Sequence, residues 1–253
     1  MNAVTQQHKA AWEFDAYAFW LKHNGPPEAL AEKISSNPMA SLKKYAPYFE
    51  NCSGLFIANI CGSCGKKAVP LALLSANVTV FDLSEENARY ARELAAAASV
   101  PLTYEVGDVM AIDMEKFGKK FDIVFMEGGV LHYFHDLPAF MQQMHALLRP
   151  GGQLICSDFH PFTKVFDSLG LQQPVHSYFD SDVFEGEMAH ARFYPPEIRE
   201  KFPKCQYRKY TLSEILNSVL HAGFTLTRFD EHPAWNDPAL PGEFTLLAQK
   251  NGG

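Results

Sequence analysis

The chain has 253 residues, of which 47% are hydrophobic and 20% charged, with a formal net charge of −7. Such a composition is typical of a folded domain that buries one sizeable core, and it excludes an intrinsically disordered chain. The 22 Lys and Arg residues form no long basic run and are outnumbered by 29 Asp and Glu residues. The sequence therefore argues against a nucleic-acid partner and against binding to a membrane surface.

The cysteine count and the N-terminus bear on the cellular compartment. Five cysteines are an odd number, and a chain of this length does not need disulfides for stability. Residues 1–9 are polar and lack the apolar core of a signal peptide. We expect a cytoplasmic protein with free thiols, and no sequence feature specifies its oligomeric state.

Residues 1–50 are predicted to form a helical, aromatic-rich cap that precedes a main domain at residues 51–253. Short apolar runs then alternate with helical segments along the main domain. This alternation predicts a doubly wound α/β fold with a mostly parallel sheet. Strands are predicted at 55–60, 78–82, 102–106, 121–126 and 153–157, and helices at 66–76, 84–98 and 138–148.

The region after the fifth strand breaks this alternation. Residues 161–210 are rich in aromatic side chains, which predicts an insertion whose rings partly enclose a small-molecule pocket. Thr211 and Glu214 then form a capping-box pattern at the start of another helix. Two closing strands, 224–229 and 243–250, bring the predicted sheet to seven strands.

The strongest chemical signal is a small-residue turn at 61–65, followed by an acidic residue at the end of the second strand. Such a turn lets a ligand approach the backbone closely, and Asp82 can accept hydrogen bonds from ribose hydroxyls. A nicotinamide dinucleotide site would need G-x-G-x-x-G, whereas this turn has only Gly62 and Gly65. The glycine spacing is also too short for a phosphate-binding P-loop.

Several later motifs occur in a specific order. The chain reads Phe121-Asp122-Ile123-Val124, then Val130-Leu131-His132-Tyr133, and then Leu147-Leu148-Arg149-Pro150-Gly151-Gly152. In this order and spacing it resembles the class I S-adenosylmethionine-dependent methyltransferases over roughly residues 50–160 and 210–250. The resemblance implies a Rossmann-like methyltransferase fold, S-adenosylmethionine as cofactor, and methyl transfer to a small-molecule acceptor.

The resemblance also implies roles for individual residues. Turn residues would face the methionine and ribose of the cofactor, Asp82 the ribose hydroxyls, and Asp108 the adenine amino group. Asn59 stands where the family has an acidic residue, and Cys61 and Ser63 replace two glycines, so Glu127 could hold the cofactor's amino group instead. The cofactor-binding set is thus Asn59, Gly62, Ser63, Gly65, Asp82, Leu83, Asp108, Val109, Glu127 and Gly128.

Candidate catalytic residues follow the fourth and fifth strands. Ligands bind at the carboxyl ends of parallel strands, so these residues are expected beside the acceptor. His132 or His160 is predicted to be a general base, with Tyr133 shaping the site. Alternatively, His132 only caps a helix start, and the neighbouring Asp158 stabilises a turn. No metal-site pattern is convincing, although Glu127 with Asp158 could bind a cation, and His176 and His190 are interpreted as surface residues.

Two other function classes stay open. Cys61 and Cys64 have the C-x-x-C spacing of a thiol–disulfide redox pair at a strand-to-helix turn. The chain could also be a non-catalytic module that binds the cofactor for recognition. The redox alternative does not account for the later motifs, whereas a non-catalytic module would bind the cofactor without turning over any acceptor.

Overall fold

A computed structural model describes residues 1–166 and 174–252, which form two compact units. The first unit consists of Met1–Asp113 and Gly186–Cys205, and the second of Met114–Glu185 and Gln206–Gly253. Residues 1–50 thus belong to the same unit as the first three strands. In the described residues no helix is both long and apolar enough to cross a membrane.

Seven strands form one sheet in the order β3-β2-β1-β4-β5-β9-β8, and a separate two-stranded sheet pairs β6 with β7. The pairs β1–β2, β2–β3 and β4–β5 are parallel, whereas β5–β9 and β8–β9 are antiparallel. The predicted doubly wound, mostly parallel seven-stranded sheet is confirmed. The strands are β1 Phe56–Ile60, β2 Asn77–Asp82, β3 Thr103–Val106, β4 Phe121–Glu127, β5 Leu148–Phe159, β6 Val183–Gly186, β7 Cys205–Arg208, β8 Phe224–Pro233 and β9 Pro241–Lys250.

The helices of the first unit include short 3-10 helices at Lys43–Tyr48, Val109–Ala111 and Ala191–Phe193. One helix is shorter than the predicted 66–76. It starts only after the left-handed Gly65 and stops before Ser75, which has φ +68°. The helices are α1 Ala3–Glu13, α2 Ala16–Asn24, α3 Pro27–Ser36, α4 Pro38–Ser41, α5 Ala68–Leu73, α6 Glu85–Ala97 and α9 Pro196–Arg199.

The second unit contains α7 Met114–Phe117, α8 Leu137–Leu147 and α10 Leu212–His221, with 3-10 helices at Leu131–Tyr133 and Pro161–Val165. The predicted capping box of α10 is confirmed: Thr211 Oγ1 accepts from Glu214 N, and Thr211 N donates to Glu214 Oε2. Strand β5 starts at Leu148, five residues before the predicted start. Its register against β4 shifts between Phe121 and Ile123, so residues 149–152 form a bulge within the strand. The predicted insertion contains β6, β7 and short helices, and its residues 167–173 lie outside the described residues.

Candidate functional site

The turn between β1 and α5 is held in a conformation that usually requires glycine. Cys61 has φ +51°, Ser63 has φ +49° and Gly65 has φ +79°. These are the three positions at which the sequence pattern expects glycine, so the left-handed geometry is kept although two of the glycines are replaced. A left-handed non-glycine residue costs about 1–2 kcal/mol, so the surroundings must stabilise the turn.

Gly62 closes the turn against β1 and β2. A Cβ at this position would lie 2.4 Å from Asn59 Oδ1 and 2.8 Å from Val80 Cγ1. Asn59 itself is buried at the end of β1, where a charged residue would need a partner. The close approach leaves room for backbone only, as the sequence predicts for Gly62.

Asp82 lies at the end of β2 and links the turn to α6. Its Oδ1 accepts from Ser84 N at 3.0 Å and Asn87 Nδ2 at 3.2 Å, and its Oδ2 accepts from Ser63 N at 3.0 Å. Burial raises the pKa of this carboxyl, while the hydrogen bonds to Ser84, Asn87 and Ser63 oppose the rise. A carboxylate has about four lone-pair sites, so Oδ2 keeps capacity for a further donor such as a ribose hydroxyl.

Ser63 is fixed on both sides of its backbone. Tyr104, on β3, donates its hydroxyl to Ser63 O at 2.8 Å, while Ser63 N donates to Asp82. The Ser63 Oγ atom is buried and has no hydrogen-bond partner among residues 1–166 and 174–252. An unsatisfied buried hydroxyl beside a glycine-like turn fits a site that receives a polar ligand group.

The loop after β3 carries Asp108 and Val109. Asp108 caps the following 3-10 helix, with Oδ1 accepting from Met110 N at 2.9 Å. Its Oδ2 accepts from the hydroxyl of Thr5 at 3.1 Å. Val109 is buried, and Leu83, in the loop after β2, is half-buried.

Sequence reasoning missed the part played by α1 and α2 in this region. Besides Thr5, Glu13 accepts from Glu85 N at 3.1 Å, and Trp20 Nε1 donates to Asn87 Oδ1 at 2.7 Å. These contacts join the N-terminal helices to the start of α6, immediately after Asp82. The only sequence signal was the aromatic density of the lead-in, which does not identify Thr5 or Glu13.

The redox alternative finds no support in the cysteine geometry. All five cysteines are free thiols. Cys64 packs in a core cluster with Leu30, Ile34 and Tyr90, and burial raises its pKa to about 12. Reactive pairs instead lower the thiol pKa, because the thiolate is the nucleophile.

In the second unit, β4 ends at Glu127 and is followed by two left-handed glycines, Gly128 and Gly129. Gly128 N donates to Ser157 O at 3.1 Å, and Glu127 is half-buried. Asp158, on β5, stabilises this turn: its Oδ2 accepts from Val130 N and Leu131 N, each at 2.8 Å. Burial raises the pKa of Asp158 to about 6. Asp158 therefore stabilises a turn, which is the alternative role that the sequence suggested for it.

His132 and Tyr133 lie on the short 3-10 helix after this turn, within a cluster of aromatic rings. Their ring centroids are 4.3 Å apart, and Tyr207 lies 5.0 Å from His132 and 5.2 Å from Tyr133. The Phe159 ring is parallel to His132 at 6.4 Å. Both His132 and Tyr133 are half-buried, so they remain accessible to a ligand.

His160 has both ring nitrogens engaged. Nδ1 accepts from Phe162 N at 3.1 Å, and Nε2 lies 3.0 Å from Glu231 Oε1. Burial lowers the pKa of this imidazole, although Glu231 opposes the change. Of the two predicted bases, His132 is therefore the one whose surroundings are aromatic and half-open.

The interpretation of His190 as a surface residue is wrong. It is buried in the first unit, with its ring stacked 4.5 Å from Phe19 and edge-on to Trp12 at 5.9 Å. This burial lowers its pKa to about 4. His176 is exposed as predicted. Over the residues that the structure describes, no group of three or more His, Cys, Asp or Glu could hold a metal ion.

Comparisons with known proteins match part of this chain to methyltransferases. A family model described as a methyltransferase domain matches residues 57–152. The chain is 39% identical to the ubiquinone biosynthesis O-methyltransferase of Methylobacterium nodulans over 107 residues, which are 42% of this chain and 41% of that protein. A protein of the same name from Methylocella silvestris is 32% identical over 163 residues, 58% of this chain and 61% of that one. The chain thus spans about half the length of these curated relatives.

Solved structures show the same fold. An S-adenosylmethionine dependent methyltransferase from Mesorhizobium loti has a TM-score of 0.62 at 19% identity, covering 81% of this chain and 97% of that one. The magnesium protoporphyrin IX methyltransferase from Synechocystis PCC 6803, solved with bound SAH, has a TM-score of 0.62 at 17% identity, covering 98% and 99%. At these identities the likeness concerns the fold alone.

Proposed function

Since residues 57–152 match a methyltransferase domain, we propose that this chain transfers a methyl group from S-adenosylmethionine to a small-molecule acceptor. The observation that carries the proposal is the position of Asp82. Its buried carboxylate ends β2, is held by three hydrogen bonds, and is tied directly to the left-handed turn at 61–65. This arrangement suits a ribose beside a tight backbone turn.

The residues present fit the cofactor. Gly62 lets the turn pack closely against Asn59 and Val80, where a Cβ would clash, and the buried Ser63 hydroxyl lacks a partner in the described part of the chain. Asp82 would accept from the ribose and Asp108 from the adenine amino group, with Leu83 and Val109 as apolar neighbours. Gly65, Asn59, Glu127 and Gly128 complete the proposed set, and Glu127 would hold the amino group in place of the acidic residue that Asn59 replaces.

When bound, the cofactor supplies a methyl group already activated by a sulfonium, so the protein has only to align the acceptor and exclude water. His132 would take the proton from the acceptor's nucleophilic atom. An imidazole suits this role because its ordinary pKa lies near neutral pH. Tyr133 would shape the site through its ring contact with His132, and His160 is the second candidate base.

The chemistry of the chain also bears on the acceptor and the compartment. A net charge of −7 without a basic run disfavours a polyanionic nucleic acid as the acceptor. The five free thiols are consistent with a reducing compartment, and we propose the cytoplasm.

Calorimetry tests cofactor binding. Wild-type protein should bind S-adenosylmethionine, and Asp82→Asn should weaken it by about 10- to 100-fold, as expected for losing a hydrogen bond to a charged group. Asp237→Asn is the matched control, because Asp237 only caps a turn by accepting from Ala239 N. Absence of binding heat with the wild-type protein, or equal affinity of Asp82→Asn, would refute the proposal.

Turnover tests the assignment of the base. Once an acceptor is found, His132→Gln should lower kcat by about 10²–10⁴-fold while leaving the cofactor Kd unchanged. His176→Gln, at an exposed histidine of the same unit, should retain full activity. If His132→Gln is fully active and His160→Gln is not, the base is His160.

A further inference from the structure

Lys164 is a buried lysine that the proposed chemistry does not use. It lies in the 3-10 helix Pro161–Val165, directly after β5, and only 8% of its surface is exposed. Its Nζ has no hydrogen-bond or ion-pair partner in the described part of the chain. Burying an unpaired ammonium costs several kcal/mol, so this arrangement calls for an explanation.

Another buried lysine of the second unit shows how such a side chain is normally satisfied. Lys250 is also 8% exposed, but its Nζ donates to His145 O and Leu148 O, each at 2.8 Å. Those bonds give Lys250 a structural role at the end of β9. Lys164 has the same burial without such bonds, and burial lowers its pKa.

A second amine lies beside Lys164. Lys209 Nζ donates to Lys164 O at 3.3 Å, and Lys209 is half-buried. Arg208 adds a further cation, but its guanidinium pairs with Glu214 at 2.8 Å and is largely neutralised. Glu214 and Asp180 are the acidic groups that act on Lys164, while Lys209 and Arg208 oppose them. Lys209 lowers the pKa of Lys164, as a neighbouring cation does, so an anion bound at Lys164 Nζ would be attracted by both amines.

Aromatic rings connect these amines with the proposed catalytic residues. Lys164 Nζ is 5.0 Å from the Tyr178 ring, and Lys209 Nζ is 5.0 Å from the Phe184 ring. Phe184 is 5.7 Å from Tyr207, which in turn contacts His132 and Tyr133. A ligand with an aromatic ring would gain offset-stacked or edge-to-face contacts with Phe184 and Tyr207.

We propose that Lys164 and Lys209 bind the carboxylate of an aromatic acid, which is the acceptor class of this enzyme. That this acid is the methyl acceptor rests on the proposed function. The anion site itself consists only of residues of the second unit. The carboxylate pairs with both amines, and the ring of the acid packs against Phe184 and Tyr207.

Benzoate and its neutral analogue benzamide test the proposal by NMR titration of the full chain. Benzoate should bind at least tenfold more tightly than benzamide. Lys164→Gln and Lys209→Gln should each remove most of that preference. Lys116→Gln is the matched control, since this exposed lysine of the same unit also lies over a ring, Phe117 at 4.6 Å, and should leave the preference intact.

Several outcomes would overturn the proposal. These are equal affinity for benzoate and benzamide, unchanged preference in both Lys164→Gln and the more exposed Lys209→Gln, or binding of inorganic phosphate without binding of benzoate. Calorimetry with S-adenosylmethionine on the same samples separates the two proposals. Cofactor binding without benzoate preference refutes only the anion site, whereas benzoate preference without cofactor binding refutes only the methyltransferase function.

Discussion

The hydroxyl of Thr5, on the N-terminal helix α1, lies 3.1 Å from Oδ2 of Asp108 after β3. The two residues are separated by more than one hundred positions in sequence, and the contact fixes the carboxylate proposed to receive the adenine amino group. An N-terminal helix thus contacts a residue of the proposed cofactor site, which motif comparison alone does not reveal.

Replacing Thr5 by the isosteric valine removes this hydrogen bond, together with the contact of the same hydroxyl with Asn2 Oδ1 at 3.1 Å, without removing volume. We expect Thr5→Val to weaken S-adenosylmethionine binding about fivefold, since one hydrogen bond contributes about 1 kcal/mol. Calorimetric Kd values provide the measurement. Thr225→Val is the control, because its hydroxyl bonds Asn251 near the C-terminus, and an equal loss in both variants would contradict the role given to Thr5.

Gly62→Ala should damage both the fold and the site. The added Cβ would lie 2.4 Å from Asn59 Oδ1 and 2.8 Å from Val80 Cγ1, so we expect a loss of about 1–3 kcal/mol in the free energy of unfolding. Cofactor affinity should fall as well. Gly107→Ala, where a Cβ meets nothing within 4 Å, should unfold at nearly the wild-type denaturant concentration.

The two cysteines of the turn should differ in reactivity. Burial raises the pKa of Cys64 to about 12, whereas Cys61 is half-buried at the surface of the turn. Iodoacetamide at pH 8 should therefore label Cys61 well before Cys64, as read by peptide mass spectrometry. Rapid labelling of both, or a Cys61–Cys64 disulfide in the purified protein, would revive the redox alternative.

His190 should make the first unit sensitive to acid. Its folded-state pKa of about 4 lies below the ordinary 6.5, so the unfolded chain binds more protons between these values. Stability contributed by the neutral ring is present above pH 6.5 and is lost as pH falls towards 4, by about 3 kcal/mol in all. Asp15 and His23 are the titratable groups that act on this ring.

Denaturant unfolding between pH 7 and pH 4 measures this loss. His190→Phe should show a smaller decrease in the free energy of unfolding than the wild-type protein, because it has no proton to gain. His176→Gln, at an exposed position, should follow the wild-type curve. A wild-type slope retained in His190→Phe would show that other groups cause the acid sensitivity.

The parts of the molecule that local sequence patterns encode were predictable. The alternation of apolar runs and helices predicted the sheet, and the capping pattern at Thr211 and Glu214 predicted the start of α10. Asp82 was singled out because its type and position suit a ribose. Long-range contacts leave no such pattern: neither the bond from Thr5 to Asp108 nor the burial of His190 among Phe19 and Trp12 follows from spacing. Lys164 was missed because a lysine in an insertion usually lies in water.

Side chains from two neighbouring strands bond the backbone of Ser63. Its N–H donates to Asp82, and its carbonyl accepts from the Tyr104 hydroxyl. The conformation of the turn at 61–65 and the position of the Asp82 carboxylate therefore depend on each other. The effects of substitutions at Asp82, Ser63 and Tyr104 on stability will not be additive. Loss of either hydrogen bond lets the strained left-handed residues relax, so losing the second bond then costs little more.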